Sequence, residues 1–201
     1  MYRILASIVA VVVLMVASEP RGAPPQAVPE ALAKSKIDEA DLVFVPTPHD
    51  VVQKMLDMAK VKKGSVVYDL GCGDGRIVVA AAKRGAKASG WDINPVRVKE
   101  AKENVKQNKV ESNAKIVLGD IFAVDLSGAD VITLYLFPRL NVRLIPQLEK
   151  LKPGSRIVAH DFGIEGVKPD KVVEVDSEED GAMHTLYLWT TPLKKEKKNG
   201  K

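Results

Sequence analysis

The chain is expected to fold as an α/β protein on a mostly parallel sheet, with an antiparallel hairpin at its C-terminal end. Three observations carry this. Between residues 65 and 160, short apolar runs alternate with stretches of helical period, the pattern of successive strand–helix–strand units. The run Val131 to Leu136 is apolar almost throughout, as a strand covered on both faces must be. Two further runs, Lys171 to Val175 and Met183 to Trp189, follow with no helix between them, which requires two strands to pair directly.

The elements can be taken in order. In Val45-Pro46-Thr47-Pro48, Thr47 is a good N-cap and Pro48 suits the first helical position. Val51, Val52, Met55, Leu56 and Ala59 then recur at helical spacing, and Lys62-Lys63-Gly64 ends that helix. The first strand covers 65–70. The next helix runs from Asp74 to Arg84, with Gly85 as its C-terminal cap. Lys87 to Asp92 is the second strand. Asn94-Pro95 opens a helix by the same cap-and-proline logic, with Val98, Ala101 and Val105 on one face. Lys115 to Leu118 and Val131 to Leu136 are the third and fourth strands. Pro138 to Leu151 reads as a helix interrupted at Pro146, and Arg156 to Ala159 is the fifth strand.

Composition bounds the function. The 201 residues are 46% apolar and 28% charged, enough for one domain with a true core. The net charge of +4 is unevenly placed: residues 194–201 hold five lysines and one glutamate, and residues 1–30 hold two charges of each sign. That leaves 23 basic and 23 acidic side chains, of 30 and 26, in between. The neutral body gives no support for a nucleic-acid partner. Residues 194–201 read as a solvated basic tail. The single cysteine, Cys72, allows no disulfide framework or zinc cluster, and no metal is expected. Ile4 to Ala17 is an apolar stretch of 14 residues without charge. It fits the core of a signal peptide, an uncleaved membrane anchor or a buried helix. The division expected is 1–18 as signal or anchor, 19–40 as a Pro-rich linker, 41–193 as the folded domain, and the tail. The segment 4–17 predicts a chain tethered to a membrane or exported.

The most informative stretch is Tyr68-Asp69-Leu70-Gly71-Cys72-Gly73-Asp74-Gly75-Arg76. An apolar strand runs into a glycine-rich loop, and a helix follows, the arrangement that brings backbone close to a nucleotide-like ligand. A dinucleotide fingerprint needs its third glycine at position 76, where this chain has Arg. Acids then fall at successive strand ends: Asp69, Asp92 in Gly90-Trp91-Asp92, and Asp120 before Ile121. In a parallel sheet those ends share one edge, where ligands bind. Asp92 lies 21 residues after Gly71, near the spacing of a carboxylate that accepts from ribose hydroxyls.

Asp-x-Gly-x-Gly-x-Gly resembles the first motif of class I S-adenosylmethionine (SAM) methyltransferases. The resemblance extends to Val45-Pro46-Thr47-Pro48, Thr133-Leu-Tyr-Leu136, Leu151-Lys-Pro-Gly154, His160-Asp-Phe162 and His184-Thr-Leu-Tyr187. Over residues 42–190 the chain is similar to the seven-strand protein-lysine methyltransferases of archaea, bacteria and mitochondria. Their relatives act on the adenine nucleotide translocase and on the c-ring protein of ATP synthase. The resemblance implies a Rossmann-like seven-stranded sheet, SAM as cofactor, and a protein with an accessible lysine as partner. It implies Asp69, Gly71, Gly73, Asp74 and Gly75 near the methionine part of SAM, Asp92 at the ribose, and Asp120 with Ile121 at the adenine. Mitochondrial relatives carry Glu where this chain has Asp92.

A lysine nucleophile has an ordinary pKa of about 10.4 and must lose its proton before it can accept a methyl group. An apolar or aromatic slot favours the neutral amine. Tyr135, with Thr133 and the turn His160-Asp161-Phe162, is expected to line that slot, and Tyr135, Asp161 and His160 are the candidate catalytic residues. Thr47 is read either as a plain N-cap or as a contact to the methionine end of SAM. Tyr135-Leu136-Phe137-Pro138 does not match the Asn/Asp-Pro-Pro-Tyr pattern of adenine and glutamine amino methyltransferases. A small-molecule methyltransferase and a non-catalytic SAM-binding protein are the other readings left open.

Overall fold

The structure, a computed structural model, describes residues 44–196. Its elements are α1 (His49–Met58), β1 (Val66–Leu70), α2 (Arg76–Lys83), β2 (Lys87–Asp92), α3 (Pro95–Gln107), β3 (Ala114–Leu118), a 3-10 turn (Ile121–Ala123), β4 (Val131–Leu134), α4 (Pro138–Leu148), β5 (Arg156–His160), β6 (Lys171–Asp176) and β7 (Met183–Thr190). They form one seven-stranded sheet in the order β3-β2-β1-β4-β5-β7-β6. The first five strands are parallel, and β7 runs antiparallel to both β5 and β6.

The sheet separates two cores. On one face α1, α2 and α3 bury Met55, Leu56, Val78, Ala101 and their neighbours against Val67, Val131, Val158 and Leu186. On the other, Leu144 and Leu148 of α4 pack on Ile132, Leu134, Ile157 and Trp189. Alternate residues of β4 and β5 thus face opposite cores, which is why those strands are apolar without a break. Strand order reverses between β1 and β4, so a crevice opens at their carboxyl ends.

Several boundaries differ from the expected ones, each for a local reason. Thr47 does not cap α1: Pro48 holds the N-cap position with no side-chain bond to the helix. The Thr47 hydroxyl is turned to His160 instead, at 3.1 Å. The glycine loop runs through Gly75, since Gly71, Gly73 and Gly75 all have positive φ, and α2 starts at Arg76 rather than at Asp74. Pairing of β4 stops at Leu134, which frees Tyr135 and Leu136 from the sheet. Pro146 does not interrupt α4 but lies within it. Val142, whose carbonyl the proline ring forgoes, is on the exposed face. Asn94 caps α3 as expected, accepting from Val96 N–H at 2.9 Å. At the C-terminus, Lys195 bridges to Val167 and Lys194 Nζ lies 2.8 Å from Asp170, so the paired backbone runs past 193 into the expected tail.

The expectation of a membrane-anchored or exported chain is corrected. Among the described residues no helix is long and apolar enough to cross a membrane. The segment 4–17, on which signal peptide, anchor and tether rested, lies outside the described residues.

Candidate active site

The crevice is built from two sides. The first rises from β1 and β2. Gly71 has φ +78°, and a Cβ there would sit 2.7 Å from Leu136 Cδ2. The loop can therefore lie flat against the cavity wall only with glycine. Gly75 has another role: its missing Cβ makes room for Ala101 of α3, at 2.9 Å. Gly71, Cys72 and Asp74 line the cavity, while Gly73 and Gly75 shape the loop beneath it. Cys72 is buried, and burial pushes its thiol well above the ordinary range, which disfavours the nucleophilic thiolate.

Asp69 is buried at the end of β1. Thr133 Oγ1 donates to its Oδ1 at 2.6 Å, and its Oδ2 has no partner. Burial pushes this carboxyl up to about 7, and the charges of Asp92 and Asp74 act in the same direction. Thr133, expected in the acceptor slot, is instead fully buried beneath Asp69. Asp92 ties the loop to β2: its Oδ2 accepts from Gly73 N–H at 2.9 Å and its Oδ1 from Asn94 N–H at 2.8 Å. Burial raises its pKa against those bonds. A carboxylate offers about four acceptor positions, so these bonds leave acceptor capacity to spare. Asp120 caps the 3-10 turn through Phe122 N–H at 2.9 Å and does not line the cavity, whereas Ile121 does.

The second side comes from the ends of β4, β5 and β7. Tyr135, Phe137 and Phe162 line the cavity. Tyr135 and Phe162 stack with centroids 6.2 Å apart, and Phe137 lies 6.0 Å from Phe162. Tyr135 Oη donates to Asp161 Oδ2 at 3.4 Å, and burial with that neighbouring charge pushes the phenol up to about 12. Asp161 sits at φ +54°, a strained backbone for aspartate. His160 is fully buried and lies behind Tyr135 rather than on the cavity, with ring centroids 4.0 Å apart. Burial pushes its pKa below the ordinary value.

Sequence reasoning missed four contributors. Arg76 served only to exclude a dinucleotide loop. Its guanidinium grips Asp74 at 2.7 Å and donates to the Thr47 carbonyl at 2.8 Å, which straps the segment before α1 over the loop. Phe44 lines the cavity beneath Arg97, 4.5 Å from its ring centre. Asn141 Nδ2 donates to the carbonyls of Leu136, Phe162 and Gly163, joining the β4 and β5 ends. His184 carried no role, yet its Nδ1 lies 2.8 Å from His160 Nε2. Only the acid at a helix N-terminus, Asp74 two residues before Arg76, offered a signal in sequence.

The sheet order, the glycine loop at the β1 end and the acid at the β2 end define the class as a SAM-dependent methyltransferase of the seven-strand type. A family profile described as the ANTKMT methyltransferase domain matches residues 69–171, and the chain belongs to that family. It is 50% identical over 150 residues to a protein-lysine N-methyltransferase of Saccharolobus islandicus, covering 73% of this chain and 91% of that one. It is 33% identical over 132 residues to the human lysine N-methyltransferase of the ATP synthase c-ring protein, covering 65% of this chain and 56% of that one. Among solved structures, an RNA methyltransferase from Salinibacter ruber in complex with S-adenosyl-L-homocysteine superposes with a TM-score of 0.70 at 41% identity, over 78% of this chain and 100% of that one.

The residues fit SAM on their own chemistry. The orphaned Oδ2 of buried Asp69 calls for a cationic partner, and SAM carries a sulfonium and an ammonium. The spare lone pairs of Asp92 suit a diol. Apolar Ile121 and Leu140 suit a flat base.

Proposed function

We propose that this chain is a protein-lysine N-methyltransferase. The observation that carries this is the acceptor wall: three aromatic rings around a single hydroxyl that is backed by a carboxylate, Tyr135 on Asp161. Such a wall desolvates an ammonium, favouring the neutral amine, while giving its proton a place to go. The β6–β7 loop beside it adds Asp176, Glu178, Glu179 and Asp180. That loop is held to α1 by Asp50, which accepts from Ser177 Oγ at 3.0 Å and Glu178 N–H at 2.8 Å. An acidic rim attracts a basic segment and repels a phosphate backbone. The 50% identity to an archaeal protein-lysine enzyme points the same way.

SAM supplies a methyl group on a positively charged sulfur. In this reading Asp92 accepts from the ribose hydroxyls, Asp69, Asp74 and Gly71 meet the methionine part, and Gly73 and Gly75 shape the loop beneath it. Ile121 covers the adenine, with Asp120 holding the turn that presents it. Thr47 lines the cavity beside the methionine part, held there by its bonds to His160 and Arg76. Tyr135 touches the acceptor nitrogen and orients its lone pair toward the methyl carbon. Asp161 orients Tyr135, and His160 positions both.

The test is transfer of radiolabelled methyl by the full-length protein to a heat-treated extract of its host. Label in protein, stable to mild base and recovered as methyl-lysine after hydrolysis, is the expected result. Label in RNA or in the small-molecule fraction would reject the lysine acceptor.

A further inference from the structure

Behind Tyr135, five polar side chains from four separate segments converge: Thr47, Tyr135, His160, Asp161 and His184. Their hydrogen positions can be argued from one end. Asp180 presents its carboxylate to His184 Nε2 at 3.2 Å. A carboxylate only accepts, so His184 Nε2 carries a proton. The other ring nitrogen, Nδ1, faces Asp161 Oδ2 at 3.3 Å and His160 Nε2 at 2.8 Å. Asp161 Oδ2 in turn receives Tyr135 Oη. His184 is thus an imidazole between two carboxylates, one reaching toward the acceptor slot and the other half-exposed to water.

The groups facing His184 leave little else to consider. The end of β5 supplies His160 and Asp161, the end of β4 supplies Tyr135 through Asp161, and the β6–β7 loop supplies Asp180. Its cross-strand partner on β6, Val175, does not ionise, and among the described residues the segment before α1 brings only the uncharged Thr47. Burial opposes a charge on His184, but the two carboxylates outweigh it and raise its pKa above the ordinary value. His160, buried beside it, moves the opposite way and stays neutral. The strained Asp161 backbone has a use here. It folds the side chain back on β7, where Thr185 N–H fixes Oδ1 at 2.9 Å and leaves Oδ2 to the two proton carriers.

We propose that His184 is the proton sink of the acceptor slot, reached from the lysine ammonium through Tyr135 Oη and Asp161 Oδ2 and discharged to water at Asp180. This rests on the lysine-acceptor reading. Tyr135 Oη takes one proton from the ammonium as its own passes to Asp161. Asp161 hands that proton to His184 Nδ1 and is again a carboxylate; Nδ1 can take it because neutral His160 keeps its own proton on Nδ1, toward Thr47 Oγ1, and turns a bare Nε2 to His184. Imidazole has become imidazolium, the amine has gained a free lone pair, and no other charge has changed. The proton is lost to water between turnovers. His184 therefore acts through Asp161 and Tyr135 rather than by touching the substrate. The same three donor atoms, within 4.8 Å of one another, could hold a metal ion. The 2.8 Å between the two ring nitrogens favours a shared proton: a tetrahedral zinc with bonds of about 2.0–2.1 Å would hold them about 3.3 Å apart.

The chain has three histidines, so ring-nitrogen NMR of the full-length protein can follow each of them. His184 should titrate above 6.5, with His160 neutral throughout, and Asp161→Asn should lower the His184 value by about one unit. With heat-treated host extract as acceptor and methyl-lysine as readout, wild-type kcat/KM should rise with pH along the His184 titration. His184→Gln should lose that limb, falling about 100-fold at pH 7 and recovering toward pH 10 as the amine deprotonates unaided, with SAM affinity unchanged. A His184 that titrates at its ordinary value and ignores Asp161→Asn would overturn the relay, as would a His184→Gln profile parallel to wild type. Stoichiometric zinc, added alone and retained on dialysis with shifts at both rings, would overturn it in favour of a metal site. Absence of methyl-lysine from the wild-type reaction at every pH overturns the acceptor class; an uncoupled His184 in an active enzyme overturns the relay.

Discussion

The two walls of the crevice are made in different ways. The donor wall follows from neighbours in sequence: Asp69, the glycine loop and Asp92 lie within 24 residues and meet because β1 and β2 are adjacent parallel strands. The acceptor wall joins segments far apart in the chain. Thr47 meets His160 across 113 residues, and His184 arrives from a strand of opposite direction. The donor wall is backbone amides pinned by carboxylates, while the acceptor wall is aromatic rings backed by a chain of proton carriers. In the proposed reading one holds a fixed cofactor and the other handles a moving proton, so substitutions in them should separate binding from turnover.

The largest effect should come from Asp92→Ala. It orphans the Gly73 and Asn94 N–H groups and removes the proposed ribose acceptor, and calorimetry should show SAM binding about 1,000-fold weaker, about 4.1 kcal/mol. If affinity held while turnover fell, the division of labour would be wrong. Tyr135→Phe sharpens the comparison from the other side. It should lower kcat about 100-fold and leave the SAM Kd within about twofold; weaker SAM binding of the same size would return Tyr135 to the donor wall.

The third effect is a pH dependence inside the donor wall. Asp69 has its folded pKa raised from 3.8 to about 7. Its neutral form thus favours the folded protein below pH 3.8, and that contribution is lost as pH rises through 7. A cationic ligand reverses the preference by drawing the proton off. SAM affinity should climb by up to about tenfold per pH unit below 7 and level off above it, with proton release visible as buffer-dependent heats. S-adenosylhomocysteine, which lacks the sulfonium charge, should respond less. A flat SAM profile that matches Asp69→Asn would remove Asp69 from the methionine end.

This contrast also explains what can be read from the sequence. The strands, the sheet class and the β1 and β2 acids are legible because each signal lies within a few residues of its partner: an apolar run, a glycine triplet, a cap followed by proline. Thr47 reads as a cap because Thr-Pro before a helical period is a strong local signal. Its hydroxyl goes to His160 because a buried imidazole needs a partner and α1 can begin without one. His160 and Asp161 stand out in sequence, but their roles depend on His184 and Asp180, and nothing local in His184-Thr-Leu-Tyr187 announces a neighbour across the sheet. Asp120 looks like a third ligand acid, but its carboxylate accepts from Phe122 N–H and lies off the cavity lining.

The placing of β7 has a consequence for how the protein is made. β6 pairs only with β7 among the described strands, and the outer edge of β5 is closed by β7 alone. A growing chain that has emitted everything up to residue 182 therefore carries two open strand edges and an unfinished proton path. Exposed edges of this kind recruit other chains. Synthesis of β7 seals the sheet and brings in His184 in one event. A premature stop just before Met183 should yield material prone to self-association with no transfer activity, while the donor wall, translated long before, is already whole. Docking of this one strand thereby closes both edges and completes the acceptor wall together.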